Sequence, residues 1–262
     1  MNTRDMFHLT ACSDLRRNIL LLLNEHEKSL RNLREELKIS STTALHALKE
    51  LEMSNLTYQT KNKNYGLTNI GRIITPKLLD FSNAAEILKK HERFWLDHDI
   101  SGIPEHMMDK IGWLKNSTVL EAPPSNIFLV HSSYIEMVAK AKKIKGVSPI
   151  FVPELSSIFA ELSTKENVDI QLVLTEKVMN KLDKEILEDI LIKEYGKINL
   201  YTIKDDLKIA LTVTDYFVSM GFSNFDGTYD WNKDLICYDK KGIEWGSALF
   251  DWYLSKAEKV KK

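Results

Sequence analysis

The chain has few cysteines: Cys12 and Cys237 lie far apart, and neither has a CxxC partner. That excludes a disulfide framework and a cysteine zinc site. No run of 18 apolar residues occurs, so no membrane span is expected. Residues 1–5 lead into no signal-peptide core or cleavage site, and a cytoplasmic location is expected. The sequence lacks GxGxxG after a strand, GxxxxGK[ST] and GxSxG. No catalytic residue and no cofactor is implied. His91, His98 and His106, with Asp97 and Asp99, match no metal-ligand spacing, so no metal site is expected. There is no excess of one charge: 36 Lys+Arg face 37 Asp+Glu, for a net charge of −1. The distribution is uneven, however. Residues 1–96 carry 15 basic and 11 acidic side chains, and residues 97–262 carry 21 and 26. The basic excess sits at the N-terminal end, which modestly favours a nucleic-acid partner there.

With 262 residues and 44% hydrophobic content, two domains are expected. Residues 13–75 have the pattern of a winged helix-turn-helix. Ser13 can cap a first helix on which Leu15, Ile19, Leu22 and Leu23 recur at helical spacing. Leu30, Leu33 and Leu37 mark a second. Ser40 can cap a third, beginning near Ser41, with Ala44, Leu45, Ala47, Leu48 and Leu51 on its inner side. Ser41, Thr42, Thr43, His46 and Lys49 are left to reach base edges or phosphates. Strands are expected over 56–60 and 65–68, joined by Lys61-Asn62-Lys63-Asn64, where asparagine tolerates left-handed backbone. Two lysines and two asparagines at such a wing tip suit phosphate contact. A plain three-helix module that binds protein is the alternative, and His46 can equally be an ordinary surface histidine.

Residues 76–116 read as a helical linker. Thr68 can cap a helix opening at Asn69, or the helix can begin at Pro76, where proline is tolerated. Ile74, Leu78, Phe81, Ala85, Leu88 and Trp95 follow a seam that suits pairing with a second copy or packing on the rest of the chain. In residues 117–262 strands are expected at 127–130, 147–152, 168–174, 197–203, 209–213 and 217–222. Helices are expected at 132–145, 154–162, 177–195 and 243–257. That alternation is an α/β domain with 147, 168 and 197 strands parallel and a hairpin over 209–222, hence a mixed sheet. His131-Ser132-Ser133 reads as a cap following a strand rather than a nucleophile.

Several segments resemble an archaeal family of winged-helix transcriptional regulators whose effector domain is of the FilR middle type. They are Phe94 to Ile100 with Ile103-Pro104, Ile144 to Ser148, Gln171 to Thr175, Val213 to Asp215, Gly227 to Asp230, Ile243 to Gly246 and Leu249-Phe250. The resemblance implies a DNA-binding regulator with an effector-sensing or oligomerising domain. The fold implied is α+β in two domains, an N-terminal winged helix and a C-terminal mixed sheet similar to phospholipase D but without its catalysis. Catalysis in that fold needs H-x-K-x4-D. The sole H-x-K is His26-Glu27-Lys28, and Leu33 holds the aspartate position.

Three functions remain open: a ligand-responsive transcriptional regulator, an α/β enzyme such as a phosphodiesterase or nucleotide hydrolase tethered to a DNA-binding module, and an architectural dimer. The missing catalytic constellation favours the first. Its partners are double-stranded DNA, a second copy and a small-molecule effector, with no membrane. Ligands of α/β sheets collect beyond the carboxyl ends of strands. Candidates there are Glu154, Thr175, Glu176, Lys204, Thr214 and Asp215, with Tyr134 and Trp245 as walls.

Overall fold

A computed structural model describes residues 3–163, 168–182 and 197–260. The chain divides into two compact units, Met1–Asn83 and Ala84–Lys262, so the expected linker over 76–116 is shared between them.

Unit 1 opens with α1 (Thr3–Ala11), followed by α2 (Asp14–Glu25), α3 (Leu30–Leu37) and α4 (Ser41–Met53). A serine starts each of the last three. The Ser13, Ser29 and Ser40 hydroxyls accept the amides of Arg16, Asn32 and Thr43 at 3.4, 3.1 and 3.1 Å, satisfying donors the helix cannot pair itself. Ile19, Leu20, Leu33, Leu48, Leu51 and Leu56 meet in the core. Leu45 departs from expectation and lies 45% exposed. At 100° per residue it falls to the side of the stripe formed by Ala44, Ala47, Leu48 and Leu51.

The wing is a three-stranded antiparallel sheet of β1 (Lys28–Ser29), β3 (Asn64–Leu67) and β2 (Thr57–Gln59), in that order. α5 runs unbroken from Asn69 to Lys90, opened by the Thr68 hydroxyl accepting the Gly71 amide at 3.1 Å. Pro76 therefore sits inside the helix rather than at its start, and the Arg72 carbonyl has no donor from it.

Unit 2 continues with α6 (Glu92–Asp97), β4 (His98–Asp99), α7 (Glu105–Met108), β5 (Thr118–Glu121), α8 (Leu129–Val138), β6 (Lys143–Ser148), α9 (Pro153–Ser163), β7 (Asp169–Thr175) and α10 (Glu176–Met179). The remaining elements are β8 (Lys197–Ile203), β9 (Ile209–Thr214), β10 (Val218–Asn224), β11 (Lys233–Cys237), α11 (Lys240–Leu254) and β12 (Glu258–Lys259). They build a mixed sheet in the order β12-β8-β7-β6-β9-β10-β11-β5, with β4 pairing aside on β10. β6, β7 and β8 are parallel, and β9 returns antiparallel to β6.

Strand alternation sends successive side chains to opposite faces. Val147, Val173, Leu211, Val213, Val218 and Met220 pack beneath α6 and α11, around Trp245, Leu249 and Phe250. Ile144, Ile170, Leu172, Leu174, Leu200 and Ile236 pack on the other face, with Val138 of α8 and Leu162 of α9.

Residues 127–130 differ from the expected strand: Ile127 and Phe128 are exposed and Leu129 begins α8. A four-residue apolar run does not distinguish strand from helix. The strand expected over 147–152 lies earlier, at β6, because Ser148 closes it by binding the Ile150 backbone. Ser132 is not a cap. Its hydroxyl donates to the Phe128 carbonyl one turn back, at 3.0 Å. Of the helix expected over 177–195 the described residues hold only α10, which ends at Met179 and runs into a turn over 180–182, and 183–195 lie outside the described residues. The apolar seam divides as well. Trp95 is buried in its own unit with its indole N–H on the Ile87 carbonyl, Leu78 packs on the unit 1 core, and Phe81, Ala85 and Leu88 face out.

Candidate functional site

Two places in the fold can meet a partner. The first is the outer face of α4 with the wing. Thr42, Thr43, His46 and Lys49 are exposed, and Ser41 is half-buried with its hydroxyl 3.4 Å from Arg34. The Thr43 hydroxyl shares its hydrogen with Ser40 at 2.8 Å, so this side chain is part of the cap as well as of the surface. His46 stands 3.6 Å from Glu50, whose carboxylate is held by Arg16 at 2.7 Å. That ion pair turns the acidic group toward α2, and the first two turns of α4 contain no Asp or Glu. Leu45 shares this outer side and was missed in the sequence. Its signal was angular, since it lies off the centre of the buried stripe. An aliphatic group there can pack on a thymine methyl.

The wing tip is a three-residue loop. Thr60 donates its amide to the Asn64 carbonyl at 2.7 Å, and Lys63 donates to the Thr60 carbonyl at 3.0 Å. Lys63, not an asparagine, takes the left-handed conformation, with φ at 59°. In such three-residue loops the last position is left-handed, whatever asparagines flank it. Lys61, Asn62 and Lys63 are exposed and Asn64 half-buried. Lys28, the lysine of the H-x-K triplet, belongs to β1 of this sheet and is buried. Its ammonium lies 3.0 Å from Glu36 and 3.3 Å from Glu25, and the hydrogen bond to Glu36 raises its pKa above the ordinary lysine value.

The second place is a cavity of about 130 Å³ inside unit 2, on the sheet face covered by α8 and α9. Its walls are mostly aliphatic and aromatic, and one end is polar. There the Tyr134 hydroxyl lies 2.7 Å from Thr212 of β9. Thr212 faces Ser219 across the β9–β10 pair, and Ser219 donates a short hydrogen bond to Asp234 of β11. Asp234 is 6% exposed, and burial pushes its carboxyl up to about 7. Burial likewise pushes the Tyr134 hydroxyl up to about 12. Gly221 makes this end possible: a Cβ there would stand 2.0 Å from the Tyr229 hydroxyl, which lies directly over the strand. Asp230 is fixed beside it, accepting the Asn232 amide and paired at 3.1 Å with buried His98. His98 in turn holds the Phe94 carbonyl at 2.6 Å.

Of the eight ligand candidates, Tyr134 alone lines this cavity. Thr175 caps α10, and Glu154, Glu176 and Lys204 are exposed at the carboxyl ends of the parallel strands or just beyond them. Thr214 and Asp215 lie at the opposite end, because β9 runs antiparallel. Thr214 closes the turn to Phe217, and Asp215 accepts the Lys142 amide at 3.0 Å. Trp245 is 1% exposed under the other sheet face, its indole N–H on the Met107 carbonyl. Sequence reasoning missed Thr212, Ser219 and Asp234, whose proximity depends on strand pairing. His91, His98, His106, Asp97 and Asp99 do not gather: among the described residues no three potential metal ligands cluster.

Residues 4–84 match the family described as the N-terminal domain of methanogenesis regulatory protein FilR1, and residues 127–256 match the middle domain of the same protein. A curated methanogenesis regulatory protein FilR1 of Methanothrix harundinacea (strain 6Ac) is 29% identical over 99% of this chain. The chain spans 60% of that relative's length. Among solved structures, TrmBL2, an archaeal chromatin protein, aligns over 92% of this chain and 91% of its own with a TM-score of 0.45 and 17% identity. The phospholipase D family member Nuc of Salmonella typhimurium aligns over 56% of this chain and 98% of its own, with a TM-score of 0.41 and 15% identity.

Proposed function

The chain belongs to the family of methanogenesis regulatory protein FilR1, and on that premise we propose that it is a DNA-binding transcriptional regulator. The observation that carries the proposal is the pairing, within unit 1, of an α4 face bearing Thr42, Thr43, Leu45, His46 and Lys49 with a wing tip bearing Lys61 and Lys63. In this reading α4 enters the major groove and the wing meets phosphate. The C-terminal unit senses a small molecule in its cavity and does not transform one. The regulator works beside the chromosome in the cytoplasm.

DNA affinity then falls steeply with salt. A dimer that neutralises about six phosphates gives a log–log slope of about −5. Lys63→Ala weakens binding to all duplexes and flattens the slope, whereas Thr42→Ala or His46→Ala changes sequence preference. Filter binding or fluorescence anisotropy from about 50 to 200 mM salt reads both. Absence of duplex binding at the low end rejects the reading.

The regulator acts as a homodimer through the outer face of α5. Ile70, Ile73 and Phe81 are 44%, 68% and 66% exposed and fall within about 80° of arc on one helix. A winged-helix reader needs two half-sites for specificity, which favours a second copy as the occupant. Phe81→Glu places a charge in that apolar contact and shifts the chain to monomer at micromolar concentration, as light scattering would register. A monomeric wild-type chain rules this dimer out.

A further inference from the structure

The cavity in unit 2 matches a ligand of limited size. An engineered apolar cavity of about 150 Å³ takes benzene, so the 130 Å³ here limits a ligand to about a single ring or a short chain. Its chemistry is set by which groups are already partnered. Lys233, the cation on its wall, lies within 3.9 Å of Asp97 and 3.7 Å of Glu121. Strand alternation also turns Lys233 to the opposite face from Asp234. Asp230 is occupied by His98 and the Asn232 amide. Asp234 has the Ser219 hydroxyl and, among the described residues, no cation. A buried carboxyl with one neutral partner is costly once ionised. Among the described residues an anion entering the cavity finds no free positive charge, and a purely apolar ligand leaves the Asp234 carboxyl with Ser219 as its partner.

We propose that this cavity binds a small organic amine, with its ammonium on Asp234 and its aryl or short alkyl body against Tyr134, Phe151 and Phe159. The inference rests on the sensor reading of unit 2 and adds to it the class of ligand. Aromatic rings beside the carboxyl suit a cation further, since ring faces attract positive charge.

Binding is proton-linked. In the empty cavity burial holds Asp234 protonated up to about pH 7, and an ammonium favours the carboxylate, so the amine displaces that proton. The other groups at this end are Ser219 of β10, Thr212 of β9, Tyr134 of α8 and Tyr229 of the β10–β11 loop. Both tyrosines stay neutral through this range, their pKa values raised by burial. His131 of α8 also borders the cavity and is the residue to control.

The test uses the full chain with benzylamine, benzyl alcohol and benzoate as probes, by titration calorimetry. Benzylamine is expected to bind about tenfold more tightly at about pH 8 than at about pH 6. Asp234→Asn removes both the pH dependence and the preference over benzyl alcohol, while His131→Gln keeps them. Benzyl alcohol or benzoate binding as tightly as benzylamine overturns the amine assignment and leaves a sensor cavity standing. If none of the three binds, the amine assignment is also overturned. If benzylamine binds but leaves DNA affinity unchanged, the amine site stands and the sensor reading fails.

Discussion

From about pH 5 to about pH 8 the C-terminal unit loses on the order of 3 kcal/mol through Asp234 alone. Burial raises this carboxyl to about 7 in the folded protein, while in the unfolded chain it titrates near 3.9. Its stabilising contribution is therefore fully present below the unfolded value and is lost as pH rises through the folded one. Above about pH 7 the fold must hold an ionised carboxylate that, among the described residues, Ser219 alone serves. Asp234→Asn keeps the shape without the charge, so the stability difference between variant and wild type moves toward the variant by that amount over the same range. All five tryptophans, Trp95, Trp113, Trp231, Trp245 and Trp252, lie in unit 2. Urea unfolding followed by their fluorescence at several pH values thus reads this unit directly. Parallel pH profiles for the two proteins would contradict a buried, neutral Asp234.

Gly71→Ala weakens the other unit by about 3 kcal/mol. A Cβ at this position would lie 2.1 Å from the Leu56 carbonyl oxygen, a backbone atom. That oxygen is already fixed, because it accepts the Thr68 amide at 3.1 Å. Neither the start of α5 nor the approach to β2 can yield without dismantling the Thr68 cap. The wing is then displaced from α4, and DNA affinity falls together with stability. Far-UV circular dichroism should show an early melting step, with the tryptophan transition of unit 2 unmoved. A variant that melts at the wild-type temperature would show that the close approach costs nothing.

Elements governed by local chemistry could be read from the sequence. Ser40 marks the start of α4 because a hydroxyl before an amphipathic run caps a helix, and β8 falls on the expected 197–203. Where local preference is divided, the reading failed. The apolar run at 127–130 fits either state, and only packing of Val130 and Val138 makes it a helix. β11 escaped notice because Asp234 interrupts its apolar pattern. That interruption is the chemistry of the cavity itself. Tyr134 was identified, yet its partner Thr212 lies 78 residues away and Asp234 a further two strands on. No local pattern announces such proximity, because it arises from the register of three strands. The rule placing ligands at strand ends assumes a parallel sheet, and β9 breaks it by running the other way.

The two margins of the large sheet limit how copies of this chain can meet. At one margin β12 offers only Glu258 and Lys259, both exposed and oppositely charged. At the other, β5 ends at Glu121 and runs into Ala122 and the paired prolines Pro123 and Pro124, which have no amide hydrogen to give. Among the described residues β12 gives a visiting strand two residues of ladder and β5 gives four. Short, charged and proline-flanked margins do not template further strands. Growth of the sheet into a fibre is discouraged, and the homodimer proposed above draws on a helix face instead, where association can stop at two copies.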